Sequence, residues 1–122
     1  MSKKVLLVDN SSTTLMKEET ILKQRTSYEC VVAKNGRDAI SQAVVESPDL
    51  VLMDAGMPRL NGFETCKQMR REESLRDTPI ILVTKRGEEN FEAGIRSGCN
   101  DYITKPINSF ELVTLLQSYL GE

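Results

Sequence analysis

Four short apolar runs, each closed by a polar residue and separated by enough chain for a helix, constrain this sequence more than any other feature. Val5-Leu6-Leu7-Val8 ends at Asp9-Asn10, and Leu50-Val51-Leu52-Met53 ends at Asp54. Ile80-Ile81-Leu82-Val83 ends at Thr84, and Tyr102-Ile103-Thr104 ends at Lys105-Pro106. The run at 50–53 lacks apolar–polar alternation, the pattern of a central parallel strand covered on both faces. Strands alternating with helices predict a parallel sheet with helices on both sides, joined by right-handed crossovers. In such a sheet every C-terminal strand end lies on one edge, where open α/β folds bind ligands. Residues 9, 10, 54, 84 and 105 are therefore expected in one pocket. Carboxylates, a hydroxyl and an ammonium gathered there can hold a divalent cation beside a phosphoryl group.

The chain reads as one domain, 1–122, of five strand–helix units. Strand one is expected at 4–8 and a helix at about 12–24, capped by Ser11 or Ser12. That helix has a weak apolar stripe, because Lys17-Glu18-Glu19 separates Leu15-Met16 from Ile21-Leu22. Strand two, about 28–33, leads through Asn35-Gly36 to a helix with Ala39, Ile40, Ala43 and Val44 on one face. Asn61-Gly62 opens a third helix carrying Phe63, Cys66 and Met69, and Thr78-Pro79 breaks into strand four. A fourth helix is expected at about 88–97, weakened by Gly94 and stopped by Gly98. Strand five, about 101–103, precedes an amphipathic helix through Leu112, Val113, Leu116 and Leu120.

Composition removes several classes of chemistry. With no His anywhere, imidazole ligation and His-based acid–base or triad chemistry are excluded. Cys30, Cys66 and Cys99 are an odd set without C-x-x-C spacing, which indicates neither a disulfide framework nor a zinc site. A formal charge of -2 and an aromatic content of 5% argue against nucleic-acid binding. Lys67, Arg70, Arg71 and Arg76 cluster, but interspersed Glu64, Glu72, Glu73 and Asp77 make them read as a solvated face. No apolar run approaches a signal-peptide core or a membrane span, so a cytoplasmic protein without membrane contact is expected. Asp9-Asn10-Ser11-Ser12 has no glycine-rich phosphate cradle, and no aromatics are placed for a flavin, which argues against an enzyme that binds flavin or hydrolyses phosphate esters on such a sheet.

The segments VLLVDN (5–10), PDLVLMDAGMPRLNG (48–62), TPIILVT (78–84) and GCNDYITKPI (98–107) occur in an order and spacing that resemble the receiver domain of two-component response regulators. The resemblance covers essentially the full length. It implies a doubly wound (βα)5 flavodoxin-like fold with a five-stranded parallel sheet in the order 2-1-3-4-5. It also implies that Asp54 accepts a phosphoryl group from a sensor histidine kinase or phosphotransfer protein, and that the signal passes to a downstream protein. No enzymatic turnover is implied beyond self-catalysed phosphorylation and dephosphorylation. By the same resemblance Mg2+ would be held by Asp9, Asn10, Asp54 and the main-chain carbonyl of Gly56. Lys105 and Thr84 would contact the phosphoryl group, and the Lys105–Pro106 peptide is commonly cis. Thr84 and Tyr102 would form a switch that reshapes the face of the fourth helix, fifth strand and fifth helix, a face that could also carry a homodimer.

Three features depart from the family pattern. Asn10 stands where a second acidic residue is usual, so one negative charge is lost and weaker Mg2+ binding is expected. Lys85 follows Thr84 where a small residue is usual, and Arg86 adds to that basic rim. The stretch from Thr84 to Lys105 is one residue short, so a displaced or abbreviated fourth helix is expected. Gly56, Lys85 and Arg86 stand at or beside positions that tune phosphoryl lifetime in the family. Taken singly, Asp9 and Asp54 could be turn or cap residues, Thr84 a strand end and Lys105 a surface charge. The departures also leave open a receiver used as a phosphorylation-independent interaction module.

Overall fold

A computed structural model describes residues 2–121. The elements, in chain order, are β1 (Lys4–Val8), α1 (Ser12–Arg25), β2 (Glu29–Ala33), α2 (Gly36–Glu46), β3 (Leu50–Asp54), α3 (Gly62–Arg71), a 3-10 turn (Glu73–Leu75), β4 (Ile80–Lys85), α4 (Phe91–Ser97), β5 (Asp101–Lys105) and α5 (Ser109–Leu120). The strands form one sheet in the order β2-β1-β3-β4-β5, every pairing parallel. The fold is thus the expected doubly wound one. β3 is buried at all five positions because it has strands on both sides and helices on both faces.

Side chains along a strand alternate between faces, and two cores follow from that alternation. Val5 and Leu7, Leu50 and Leu52, Ile81 and Val83, and Ile103 pack under α1 and α5. Leu6 and Val8, Val51 and Met53, and Ile80 and Leu82 pack under α2 and α3. On α5 the four expected positions Leu112, Val113, Leu116 and Leu120 are all buried. Of the four positions expected on one face of α2, Ala39 and Ala43 are buried, Ile40 is half-buried and Val44 is exposed.

Each helix begins at a polar side chain that accepts the amide three residues on: Ser11, Asn35, Asn61, Asn90 and Asn108. Such caps stabilise a helix by about 1 kcal/mol each. Asn90 corrects the fourth helix, which starts at Phe91 rather than near 88. The chain before it is a turn, with Gly87 at φ 87° and its amide bonded to Glu89 Oε1 at 2.6 Å. α4 is accordingly the shortest α-helix, with Phe91 and Ile95 exposed. β5 is longer than expected, since its pairing with β4 continues through Thr84↔Thr104 and Lys85↔Lys105.

The basic cluster on α3 also needs correction. Arg70 is not simply solvated: its guanidinium donates to the carbonyls of Leu75, Thr78 and Gly98 and to Asn100 Oδ1. Asn100 Oδ1 in turn accepts from the Ile80 amide that opens β4. One side chain therefore ties α3 to the chain that enters β4 and the chain that enters β5. The three cysteines are free thiols. Among the described residues no helix is long and apolar enough to cross a membrane.

Candidate functional site

The alternation that builds the cores also sorts the polar residues at the sheet edge. Continuing the rows of Leu7, Leu52 and Ile103 by two residues gives Asp9, Asp54 and Lys105, all on the α1/α5 face. Lys105 Nζ lies 3.3 Å from Asp9 Oδ2 and 3.3 Å from Asp54 Oδ1. Residues 9, 54 and 105, distant in sequence, thus meet at one ammonium. Asp9 is 1% exposed and Asp54 6%. Asp9 Oδ1 accepts the Ser11 amide at 2.8 Å, which fixes its carboxylate at the start of α1. The Lys105–Pro106 peptide is cis, as the resemblance implied.

One ammonium between two carboxylates leaves the pocket short of positive charge. Burial raises the Asp54 carboxyl above its ordinary value, and Asp9 raises it further, while Lys105 and the Gly56 amide pull it down. Burial alone would lower Lys105, but Asp54 and Asp9 together hold it above the usual lysine value. The electrostatic balance therefore favours a further cation beside Asp54.

The loop after Asp54 is folded back on the end of β3. The Gly62 amide donates to the Ala55 carbonyl at 3.0 Å, and a Cβ on Gly62 would lie 2.5 Å from the Asp54 carbonyl oxygen. Gly56 borders Asp54 Oδ2, with a Cβ there still 4.0 Å away.

Thr84 and Tyr102 belong to the other face, the row of Leu82. Thr84 is 5% exposed, and its hydroxyl has no hydrogen-bond partner. The two side chains line one small cavity with Phe63, Cys99 and Gly94. Tyr102 is half-buried and meets Phe91 edge to face, ring centres 5.2 Å apart. Asn10, Lys85 and Arg86 are exposed, and among the described residues no hydrogen bond ties the Asn10 side chain to Asp54 or Lys105. The expected residues thus comprise two buried carboxylates with a half-buried lysine, Thr84 and Tyr102 in the other side-chain row of β4 and β5, with Thr84 at the same sheet edge, and an exposed rim.

Glu18 was not anticipated. It is 2% exposed on α1, and its Oε1 has no hydrogen-bond partner. Burial pushes its carboxyl up to about 8, Asp9 and Asp54 adding to the rise and Lys105 opposing it. The local sequence Lys17-Glu18-Glu19 reads as solvated. The available signal was spacing: Leu15, Glu18 and Leu22 lie three and four residues apart, on one helical face.

Fold and pocket together define a class: a doubly wound α/β protein with a lysine-bridged pair of carboxylates at the C-terminal edge of its sheet. Residues 5–117 match the family described as the response regulator receiver domain, and the chain belongs to that family of two-component signalling proteins. It is similar to Protein PilH of Pseudomonas aeruginosa, 35% identical over 119 residues, covering 97% of this chain and 98% of that protein. Its fold is similar to that of the chemotaxis protein CheY4 of Vibrio cholerae, with TM-score 0.89, 30% identity and coverage of 98% and 99%. It is equally similar to the receiver domain of sensor histidine kinase PA1611 of Pseudomonas aeruginosa, with TM-score 0.90, 28% identity and both chains covered in full. That receiver holds a magnesium ion in its active-site cleft.

The residues of this chain fit such an ion. Asp9 and Asp54 offer carboxylate oxygens on one face, Gly56 follows beside Asp54, and two carboxylates share the single Lys105 ammonium. Oxygen donors of this kind suit Mg2+, which keeps several waters and takes few protein ligands.

Proposed function

We propose that this protein is a phosphoryl-accepting switch with Asp54 as acceptor. The supporting observation is the lysine bridge, in which one ammonium lies 3.3 Å from both Asp9 and Asp54. A carboxylate is a weak nucleophile, and phosphoryl transfer depends on positioning and charge neutralisation rather than on strong attack. An Asp54 oxygen forms the new O–P bond as the P–N bond of a phosphohistidine breaks. The departing imidazole keeps the electron pair and takes up a proton. Lys105 offsets charge on one phosphoryl oxygen, and the unpartnered Thr84 hydroxyl is available to another. Asp9, Asp54, the Gly56 carbonyl and the Asn10 amide oxygen would hold Mg2+, which neutralises phosphoryl charge. The donor is a sensor histidine kinase or phosphotransfer protein.

The output is a change of surface. The phosphoryl group adds roughly -1.5 to -2 charge at the sheet edge. Drawing the Thr84 hydroxyl toward it frees space in the cavity that Tyr102 already lines. Tyr102 then leaves Phe91, and the face of α4, β5 and α5 shifts between two populations. A downstream protein, or a second copy of this chain, reads that face.

A second reading rests on the exposed Asn10 and Lys85 and the short α4: the same face serves as an interaction module without phosphorylation. Incubation with a small phosphodonor and Mg2+, followed by intact mass, separates the two. Gain of one phosphoryl group, absent in Asp54→Ala, is the expected result; a wild type that gains nothing favours the second reading.

A further inference from the structure

The Glu18 carboxyl performs no task in the fold. It stands where an apolar side chain would complete the Leu15–Leu22 stripe, and burying a carboxyl without a partner costs stability. Its position relates it to the pocket instead. α1 starts at the pocket, and side chains on a helix lean toward its N-terminus. α1 covers the same sheet face from which Asp9, Asp54 and Lys105 rise. The charged groups acting on Glu18 are those three, yet no ion pair joins it to Lys105, whose ammonium is engaged by Asp9 and Asp54. Among the described residues Asp9, Glu18 and Asp54 are the buried acidic side chains.

We propose that Glu18 is a cation-affinity residue, supplying from beneath the pocket the acidic charge that Asn10 removes from its mouth, and strengthening Mg2+ binding without touching the ion. The proposal rests on the receiver-pocket reading above. Two carboxylates and one ammonium leave a single net negative charge to face a dication. The amide at position 10 adds none. A carboxylate in the low-dielectric interior acts on the pocket with little screening by solvent or salt. Without a cation, burial and the two neighbouring carboxylates favour its neutral form. A dication that offsets those carboxylates favours the charged form.

Mg2+ titration of the purified protein by calorimetry tests this, with metal-free melting temperatures measured alongside. At pH 9, above the value of about 8 at which Glu18 ionises in the metal-free protein, Glu18→Gln is expected to weaken Mg2+ binding ~10-fold, the scale of one charge at an effective dielectric of about 20. Glu18→Leu is expected to give the same loss, although it completes the apolar stripe and raises the melting temperature. Adding Asn10→Asp to Glu18→Gln should return affinity to near the wild-type value. Unchanged Mg2+ affinity in Glu18→Gln and Glu18→Leu overturns the proposal whatever their melting temperatures, as does a wild type that binds no Mg2+. A failure of the wild type to gain phosphoryl mass counts against the acceptor reading instead and leaves this comparison of affinities intact.

Discussion

Between the usual carboxyl value of 4.5 and the value of about 8 to which burial raises Glu18, the folded chain keeps a proton that the unfolded chain releases. The raised value means that Glu18's contribution is present at low pH and is lost as pH rises through this window. The loss is on the order of a few kcal/mol. Melting temperatures should therefore diverge between wild type and Glu18→Leu as pH rises. The variant should be more stable at pH 8 than at pH 5, relative to wild type, by at least ~5 °C. A constant gap across that range would contradict the assignment. Asn10 carries a second prediction at this scale. Restoring an acid with Asn10→Asp should tighten Mg2+ binding ~10-fold, and equal titration curves would count against it. Asn10 and its missing charge were legible in the sequence because they sit beside Asp9 in a recognisable segment. Glu18 was not, because its charged neighbours disguised a helical spacing.

At the level of elements, the contact between α3 and the end of β3 is the tightest constraint on the backbone at Asp54. Gly62 lies where a methyl group would meet the Asp54 carbonyl and Ala55 Cα. Gly62→Ala should destabilise the fold by ~1–3 kcal/mol, the cost of overpacking, and should perturb Asp54 together with the global fold. Urea melts that overlay those of the wild type would show that α3 can back away freely. β1, β3 and β4 were legible because they are uninterrupted apolar runs buried on both faces, while the edge strand β5, half-buried, was legible only in part. Helix limits were less so. α4 begins three residues later than expected because Asn90 supplies the capping oxygen. Arg70 read as surface charge because its acceptors are backbone carbonyls, which no side-chain pattern reveals.

Across the whole molecule, the sheet order brings β1, β3 and β5 ends to one ammonium, while β4 sends Thr84 to the opposite face. Convergence was legible from where the apolar runs stop; the division between faces followed only from register. The exposed rim belongs to this scale as well, since Arg86 borders an open groove with Tyr102, Pro106 and Glu111. Arg86→Ala should change the decay rate of the phosphorylated protein, followed by intact mass over time, and an unaltered decay would remove Arg86 from the rate-setting residues. All of these expectations depend on Asp54 being the acceptor. An aspartyl phosphate is an acyl phosphate, so hydroxylamine breaks its C–O bond, releases inorganic phosphate and leaves a hydroxamate on the residue that carried it. Peptide mapping after this treatment should locate the hydroxamate at Asp54 alone. A hydroxamate at Asp9, or phosphoryl mass that resists hydroxylamine, would contradict the account at its centre.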